Sequence, residues 1–145
     1  MALQPWACTN EPNGQRRILL VEDEPFVRAA TCSILQGAGF EVLPAEDACE
    51  AMKVYEECGQ RVDLLMTDMV LPGRTGQQLG RDVRELSPGV AVLVTSGYGA
   101  AVDEIESPET NMYFLAKPYS RRALVEKIET ILETGLTRHA ATQAG

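Results

Sequence analysis

Four charged side chains could do chemistry together if the chain folds as its apolar segments indicate. Glu22 and Asp23 follow one short apolar run, Asp68 follows a second, and Lys117 follows a third. Ligands converge at the carboxyl ends of parallel strands in open α/β sheets, so three parallel strands would bring these groups to one edge. Carboxylates without a nearby histidine or thiol suit Mg²⁺ or Mn²⁺, which prefer oxygen ligands.

Such an acidic cluster favours phosphoryl chemistry. Crowded carboxylates repel one another and therefore favour a bound cation. A divalent ion beside Asp68 would neutralise an incoming phosphoryl group, while Lys117 would hold one of its oxygens and Ser96 would donate a hydrogen bond to another. The Asp68 carboxylate would then attack phosphorus and form an aspartyl phosphate.

Composition limits the alternatives. The chain has 145 residues, which is about one domain, and its net charge of -8 argues against direct binding of nucleic acid. Its four cysteines form no Cys-x-x-Cys pair, so neither a zinc site nor a redox dithiol is indicated. The apolar runs are too short to span a membrane, and the amino terminus has no signal-peptide core, so we expect a cytoplasmic protein without membrane contact.

Five apolar runs alternate with five helical patterns, which predicts an α/β fold with a doubly wound parallel sheet. Pro44 cannot donate a ladder hydrogen bond, so the second strand should lie at an edge. That placement favours the flavodoxin-like strand order 2-1-3-4-5. The predicted strands are 17–21, 41–45, a run ending at 68, 90–95 and 112–116. The predicted helices begin near 25, 47, 76, 100 and 120.

The chain divides into three parts. Residues 1–15 are predicted to be a flexible arm, 16–135 the folded domain, and 136–145 an irregular tail that follows a helix end at Gly135. In the first helix, a three- and four-residue spacing predicts an inner face made by Val27, Ala30, Ile34 and Ala38.

Four motifs occur in order along the chain: Leu-Val-Glu-Asp-Glu-Pro around Asp23, Thr-Asp-Met-Val-Leu-Pro-Gly around Asp68, Val-Thr-Ser-Gly-Tyr around Ser96, and Phe-Leu-Ala-Lys-Pro around Lys117. Together they resemble the response regulator receiver domain of two-component signalling. The resemblance covers roughly residues 17–133. It is greatest to the receivers of PAS-containing hybrid sensor histidine kinases.

The resemblance implies a role for each matching position. Asp68 would accept a phosphoryl group from a phosphohistidine on a sensor histidine kinase or a histidine phosphotransfer protein. Asp23 and Asp68 would hold Mg²⁺ directly, Glu22 would act mostly through water, and the main-chain carbonyl of Val70 would be a further ligand. Lys117 would assist at the phosphoryl group.

Two further positions match the switch residues of the family. Ser96 stands where the family has a switch hydroxyl, and Phe114 stands where it has the switch aromatic. Thr95 is a rival for the hydroxyl role, but the small Gly97 matches the residue that usually follows the switch hydroxyl. Phosphorylation would then change protein contacts, and a homodimer formed on phosphorylation is compatible with the resemblance.

Two other functions remain open at the level of sequence. One is a receiver-like adaptor that acts without phosphorylation. The other is a Mg²⁺-dependent phosphatase working through an aspartyl phosphate, although such enzymes commonly need a second aspartate two residues after the nucleophile, where this chain has Val70. We expect a signalling domain rather than an enzyme, one that at most catalyses its own phosphorylation and dephosphorylation.

Overall fold

A single parallel sheet forms the centre of the protein. The computed structural model describes residues 15–97 and 111–144, with side chains as far as Glu133 in the second range. The strand order is β2-β1-β3-β4-β5, and all four neighbouring pairs are parallel, which confirms the predicted flavodoxin-like topology. The strands are β1 (Arg17–Val21), β2 (Glu41–Ala45), β3 (Leu64–Asp68), β4 (Ala91–Ser96) and β5 (Met112–Ala116).

Helices cover both faces of this sheet. Their ranges are α1 (Pro25–Gly37), α2 (Ala48–Glu57), α3 (Gly76–Leu86) and α4 (Arg121–Ala144). Helices α2 and α3 pack on the face that contains Leu65, whereas α1 and α4 pack on the face that contains Leu64. Every residue of β1 and β4 is buried, as expected for strands covered on both sides. Pro44 is exposed on the edge strand β2, as predicted.

Each helix that follows β1, β2 or β3 begins at a side chain that accepts a main-chain N–H. Glu24 caps α1, Asp47 caps α2, and Thr75 caps α3 in a reciprocal capping box with Gln78. Before α3, the segments Val70–Leu71 and Arg74–Thr75 form a two-residue antiparallel pair outside the main sheet. These caps set where the loops at the carboxyl edge of the sheet end.

The predicted inner face of α1 is wrong in part. Val27 and Ala30 are exposed, whereas Thr31 and Leu35 are buried, and the other two predicted members are half-buried. Leu35 packs into the core. Arg28 lies one turn before Thr31, and its guanidinium donates to the main-chain oxygen of Glu22. These two contacts rotate the helix by about one residue, or roughly 100°, from the predicted orientation.

The predicted helix end at Gly135 is also wrong, because the backbone of α4 continues to Ala144. A glycine inside a helix costs only about 1 kcal/mol relative to alanine, and no proline follows it. The predicted helix near residues 100–106 and the arm at residues 1–14 lie outside the described residues. Within the described ranges, no helix is both long and apolar enough to cross a membrane.

Candidate functional site

Three strands deliver charged side chains to one edge of the sheet. Glu22 follows β1, Asp68 ends β3, and Lys117 follows β5. The Lys117 Nζ lies 3.1 Å from Asp68 Oδ2 and 3.4 Å from Glu22 Oε1, so it bridges two carboxylates that are 46 residues apart. The convergence predicted from the parallel topology is therefore present in the fold.

Asp23 completes a three-carboxylate cluster. One oxygen from each of Glu22, Asp23 and Asp68 lies within 4.8 Å of the others. Glu22 is buried, Asp68 is half-buried and Asp23 is exposed, so the cluster opens to water on one side. A hard divalent cation such as Mg²⁺ takes oxygen ligands and keeps several waters, and this donor set fits that requirement.

The turn between β1 and α1 holds Glu22 in place. The Glu22 N–H donates to the Ala45 carbonyl at 3.0 Å, and the Glu24 N–H donates to Glu22 Oε2 at 3.2 Å. The Arg28 guanidinium donates to the Glu22 carbonyl at 2.8 Å. Sequence reasoning missed Arg28. A cation near the start of a helix opposes the usual dipole preference, and that was the available signal.

The charges in the cluster perturb one another. Burial raises the pKa of Glu22 above its ordinary value, and the nearby Asp68 adds to the increase, although the Glu24 N–H and Lys117 oppose it. Burial lowers the pKa of Lys117, but its hydrogen bond and ion pair with Asp68, together with Glu22, outweigh this, so that pKa is raised. The lysine therefore stays cationic beside carboxylates that repel one another.

Main-chain contacts surround the peptide that carries Asp68. The Met69 N–H donates to the Thr95 carbonyl at 2.8 Å, and the Gly76 N–H donates to the Met69 carbonyl at 2.7 Å. The Thr67 hydroxyl donates to the main-chain oxygen of Asp68 itself at 2.9 Å. Sequence reasoning gave no site role to Thr67 or Gly76, because neither residue type nor spacing signals such a contact.

The two predicted switch residues are both buried beside this edge. Ser96 ends β4, and its main-chain oxygen accepts the Lys117 N–H at 2.8 Å. Phe114 lies in β5 within the core cluster on the α2 and α3 face. Val70 begins the short strand after Asp68, and its side chain is 63% exposed.

A flavodoxin-like sheet with an acidic cluster and a lysine at its carboxyl edge defines a class of signalling domain. The family described as "Response regulator receiver domain" matches residues 18–129, and the chain belongs to that family. It is a receiver domain of two-component systems, a family of signalling domains whose acidic residues bind Mg²⁺ and whose partners are histidine kinases or phosphotransfer proteins.

Particular relatives agree with this assignment. The chain is 34% identical to the sensor kinase CckA of Brucella abortus over 122 residues, which are 83% of this chain and 13% of that protein. The receiver domain of the hybrid histidine kinase CckA is 36% identical, with a TM-score of 0.69 over 80% of this chain and 98% of that one. A CheY-like receiver domain protein from Methanospirillum hungatei is 28% identical, with a TM-score of 0.76 over 86% and 99%.

These matches confirm the predicted likeness to hybrid-kinase receivers. Because the chain spans only a small part of CckA, the activity of that kinase as a whole does not transfer to it.

Proposed function

We propose that Asp68 is the residue that accepts a phosphoryl group from the phosphohistidine of a sensor histidine kinase or a histidine phosphotransfer protein. The observation that carries the proposal is the bridge made by Lys117 between Asp68 and Glu22. A cation held beside one carboxylate oxygen of a half-buried aspartate is placed to pair with a phosphoryl oxygen as well.

The same edge supports a Mg²⁺ site of defined composition. Asp23 and Asp68 would hold the ion directly, Glu22 would act mostly through water, and the main-chain carbonyl of Val70 would be a further ligand. The three carboxylates, with one oxygen from each within 4.8 Å, support the carboxylate part of this site. Mg²⁺ bound there supplies neutralising charge for the phosphoryl group.

The transfer is a nucleophilic displacement at phosphorus. A carboxylate oxygen of Asp68 forms the new P–O bond as the P–N bond to the donor imidazole breaks. The electron pair of that bond stays on the imidazole nitrogen, which is free to take a proton from solvent. Lys117 keeps its charge throughout, because its pKa is raised by Asp68 and Glu22. It balances the negative charge of the transferred group.

Ser96 and Phe114 are the proposed switch pair. The Thr95 hydroxyl donates to the Thr67 carbonyl at 3.5 Å. Because the Thr95 hydroxyl is already engaged by this carbonyl, we take Ser96, which the small Gly97 follows, as the hydroxyl that meets the phosphoryl group. On phosphorylation, Ser96 and Phe114 shift together and change the protein contacts of the surface beside β5.

The domain acts as a switch and not as a general enzyme, with at most its own phosphorylation and dephosphorylation catalysed. The exposed apolar Val70 stands where an aspartyl-phosphate phosphatase would place its acid/base carboxylate, which argues against that alternative. We assign the receiver unit to residues 16–135. The cytoplasmic location and a homodimer formed on phosphorylation stay predictions from the sequence.

Intact-mass analysis after incubation with acetyl phosphate tests the proposal. We expect one Mg²⁺-dependent phosphoryl adduct on the wild type and none on Asp68→Asn. Asp47→Asn is the matched control, because Asp47 also lies at this edge as the α2 cap, and asparagine caps a helix equally well. An adduct that persists in Asp68→Asn, or that disappears in Asp47→Asn, would refute the assignment.

A further inference from the structure

Gly76 approaches the acceptor peptide more closely than any side chain would allow. A Cβ added at this position would lie 2.1 Å from the main-chain oxygen of Asp68. It would also lie 3.0 Å from both Cγ2 and Oγ1 of Thr67. The neighbour here is backbone, which cannot rotate away as a flexible side chain can, so a substituent at Gly76 must displace either the start of α3 or the end of β3.

Thr67 contacts the same peptide through its side chain. Its hydroxyl donates to the Asp68 main-chain oxygen at 2.9 Å, and the residue is fully buried. Removing the hydroxyl would take a hydrogen-bond donor from this carbonyl, and an acceptor left unsatisfied away from water costs free energy. The hydroxyl therefore gives the acceptor peptide a fixed partner at the point where the ladder of β3 ends.

We propose that Thr67 and Gly76 are positioning residues that together hold the Asp68 peptide in place, a claim that rests on the proposed phosphoacceptor role of Asp68. The hydroxyl of Thr67 binds the carbonyl, and the bare α-carbon of Gly76 lets the start of α3 pack directly against it. The Gly76 N–H adds a bond to Met69, the next residue, at 2.7 Å. We call Thr67 and Gly76 together the clamp. The clamp orients the acceptor carboxylate and, two residues further on, the carbonyl of Val70.

This positioning matters because the two groups that it orients are both proposed Mg²⁺ ligands. Partners that orient a metal ligand typically contribute about 10- to 100-fold to metal affinity or activity. Displacing a reacting group by about 1 Å lowers a rate by about 100-fold. A shift of the Asp68 peptide would therefore weaken Mg²⁺ binding and slow phosphoryl transfer together.

A pair of glycines in α3 provides one test. In Gly76→Ala the new Cβ meets the Asp68 carbonyl, whereas in Gly80→Ala, one turn later, it meets Val92 Cγ1 at 2.8 Å, in the core below the site. At matched folded fraction by circular dichroism, we expect Gly76→Ala to weaken Mg²⁺ binding in calorimetry by about tenfold or more. Gly80→Ala should bind Mg²⁺ as the wild type does. Equal Mg²⁺ affinities of the two variants would overturn the proposal.

Thr67 provides a second test that survives if Gly76→Ala does not fold. Thr67→Val keeps the branched shape and removes the hydroxyl, while Thr67→Ser keeps the hydroxyl. We expect Thr67→Val to lower both Mg²⁺ affinity and the rate of phosphorylation by acetyl phosphate by about tenfold, and Thr67→Ser to restore both. If the threonine had only a structural role, Thr67→Val would lower stability but leave the Mg²⁺ affinity and the phosphorylation rate of the folded protein unchanged.

The two claims fail in different ways. If the wild type binds Mg²⁺ but gains no phosphoryl group, the phosphoacceptor role fails and the clamp is judged by Mg²⁺ affinity alone. If the wild type is phosphorylated and Thr67→Val matches it in both rate and Mg²⁺ affinity, the clamp fails and the phosphoacceptor role stands.

Discussion

Replacing Glu22 with glutamine should stabilise the metal-free protein while weakening its hold on Mg²⁺. Glu22 is buried, and its carboxylate lies no more than 4.8 Å from an oxygen of Asp23 and of Asp68. Two unit charges at that distance repel by roughly 1 kcal/mol in water and by about 3.5 kcal/mol at an effective dielectric constant near 20. The amide of glutamine keeps the shape of the side chain and removes both repulsions.

The Lys117 ion pair, 3.4 Å from Glu22, offsets part of this gain. Its attraction is about 1.2 kcal/mol in water and about 5 kcal/mol at the lower dielectric constant. The net repulsion is then about 0.5 to 2 kcal/mol, and we expect Glu22→Gln to raise the free energy of unfolding at pH 7 by about 1 kcal/mol. The direction agrees with the raised pKa of Glu22, for which burial is the largest cause.

The sign of the pH dependence follows from that pKa. A carboxyl whose folded pKa is raised holds its proton more tightly in the folded state, so the wild type loses stability as the pH rises from the ordinary pKa of 4.5 through the raised value. The glutamine variant lacks this loss. The difference in the free energy of unfolding between Glu22→Gln and the wild type should therefore be present at pH 7 and vanish near about pH 4.

Urea unfolding followed by circular dichroism in EDTA measures this difference. Glu46→Gln is the control. Glu46 is exposed and lies outside the three-carboxylate cluster, and its substitution removes the same net charge. With Mg²⁺ present, the stability advantage of Glu22→Gln over the wild type should shrink or reverse. The reason is that losing a metal ligand or its water contact lowers Mg²⁺ affinity by about tenfold. A Glu22→Gln variant less stable than the wild type at pH 7 without metal, or an equal gain in Glu46→Gln, would contradict repulsion within the cluster.

Two other substitutions test separate parts of the account. Lys117→Met leaves Asp68 and Glu22 without their cation, so the free energy of unfolding in EDTA at pH 7 should fall by about 1–2 kcal/mol, and an unchanged urea midpoint would contradict the bridge. Thr75→Ala removes the hydroxyl that accepts the Gln78 N–H at 3.1 Å, so the free energy of unfolding should fall by about 1 kcal/mol. Thr75→Ser keeps a hydroxyl and should retain most of the wild-type stability. Equal melting temperatures of all three proteins would count against the capping box.

The sheet and the edge where the site lies were predictable from local patterns. Short apolar runs bounded by turns mark buried parallel strands, and Pro44 singles out the edge strand, which is enough to select the strand order. Once the order is known, the carboxyl ends of β1, β3 and β5 must lie at one edge. Glu22, Asp68 and Lys117 then converge without any further information.

Contacts that depend on tertiary packing were not predictable in this way. The face that α1 buries follows from the bond between Arg28 and the Glu22 carbonyl, which the apolar spacing does not encode. Helix α4 continues past Gly135 because a single glycine is a weak stop signal without a following proline. The close approach of Gly76 to Asp68 depends on where α3 begins relative to β3, and a glycine alone does not reveal it.

The most direct test of the account locates the phosphoryl group itself. The wild type is phosphorylated by a phosphohistidine donor in Mg²⁺, reduced with borohydride to convert an aspartyl phosphate into homoserine, and mapped by tandem mass spectrometry. We predict homoserine at position 68 and at no other aspartate, and none when Mg²⁺ is replaced by EDTA. Homoserine at Asp23 or another carboxylate, or a stable phosphoryl group that borohydride does not reduce, would contradict the central claim that Asp68 is the acceptor.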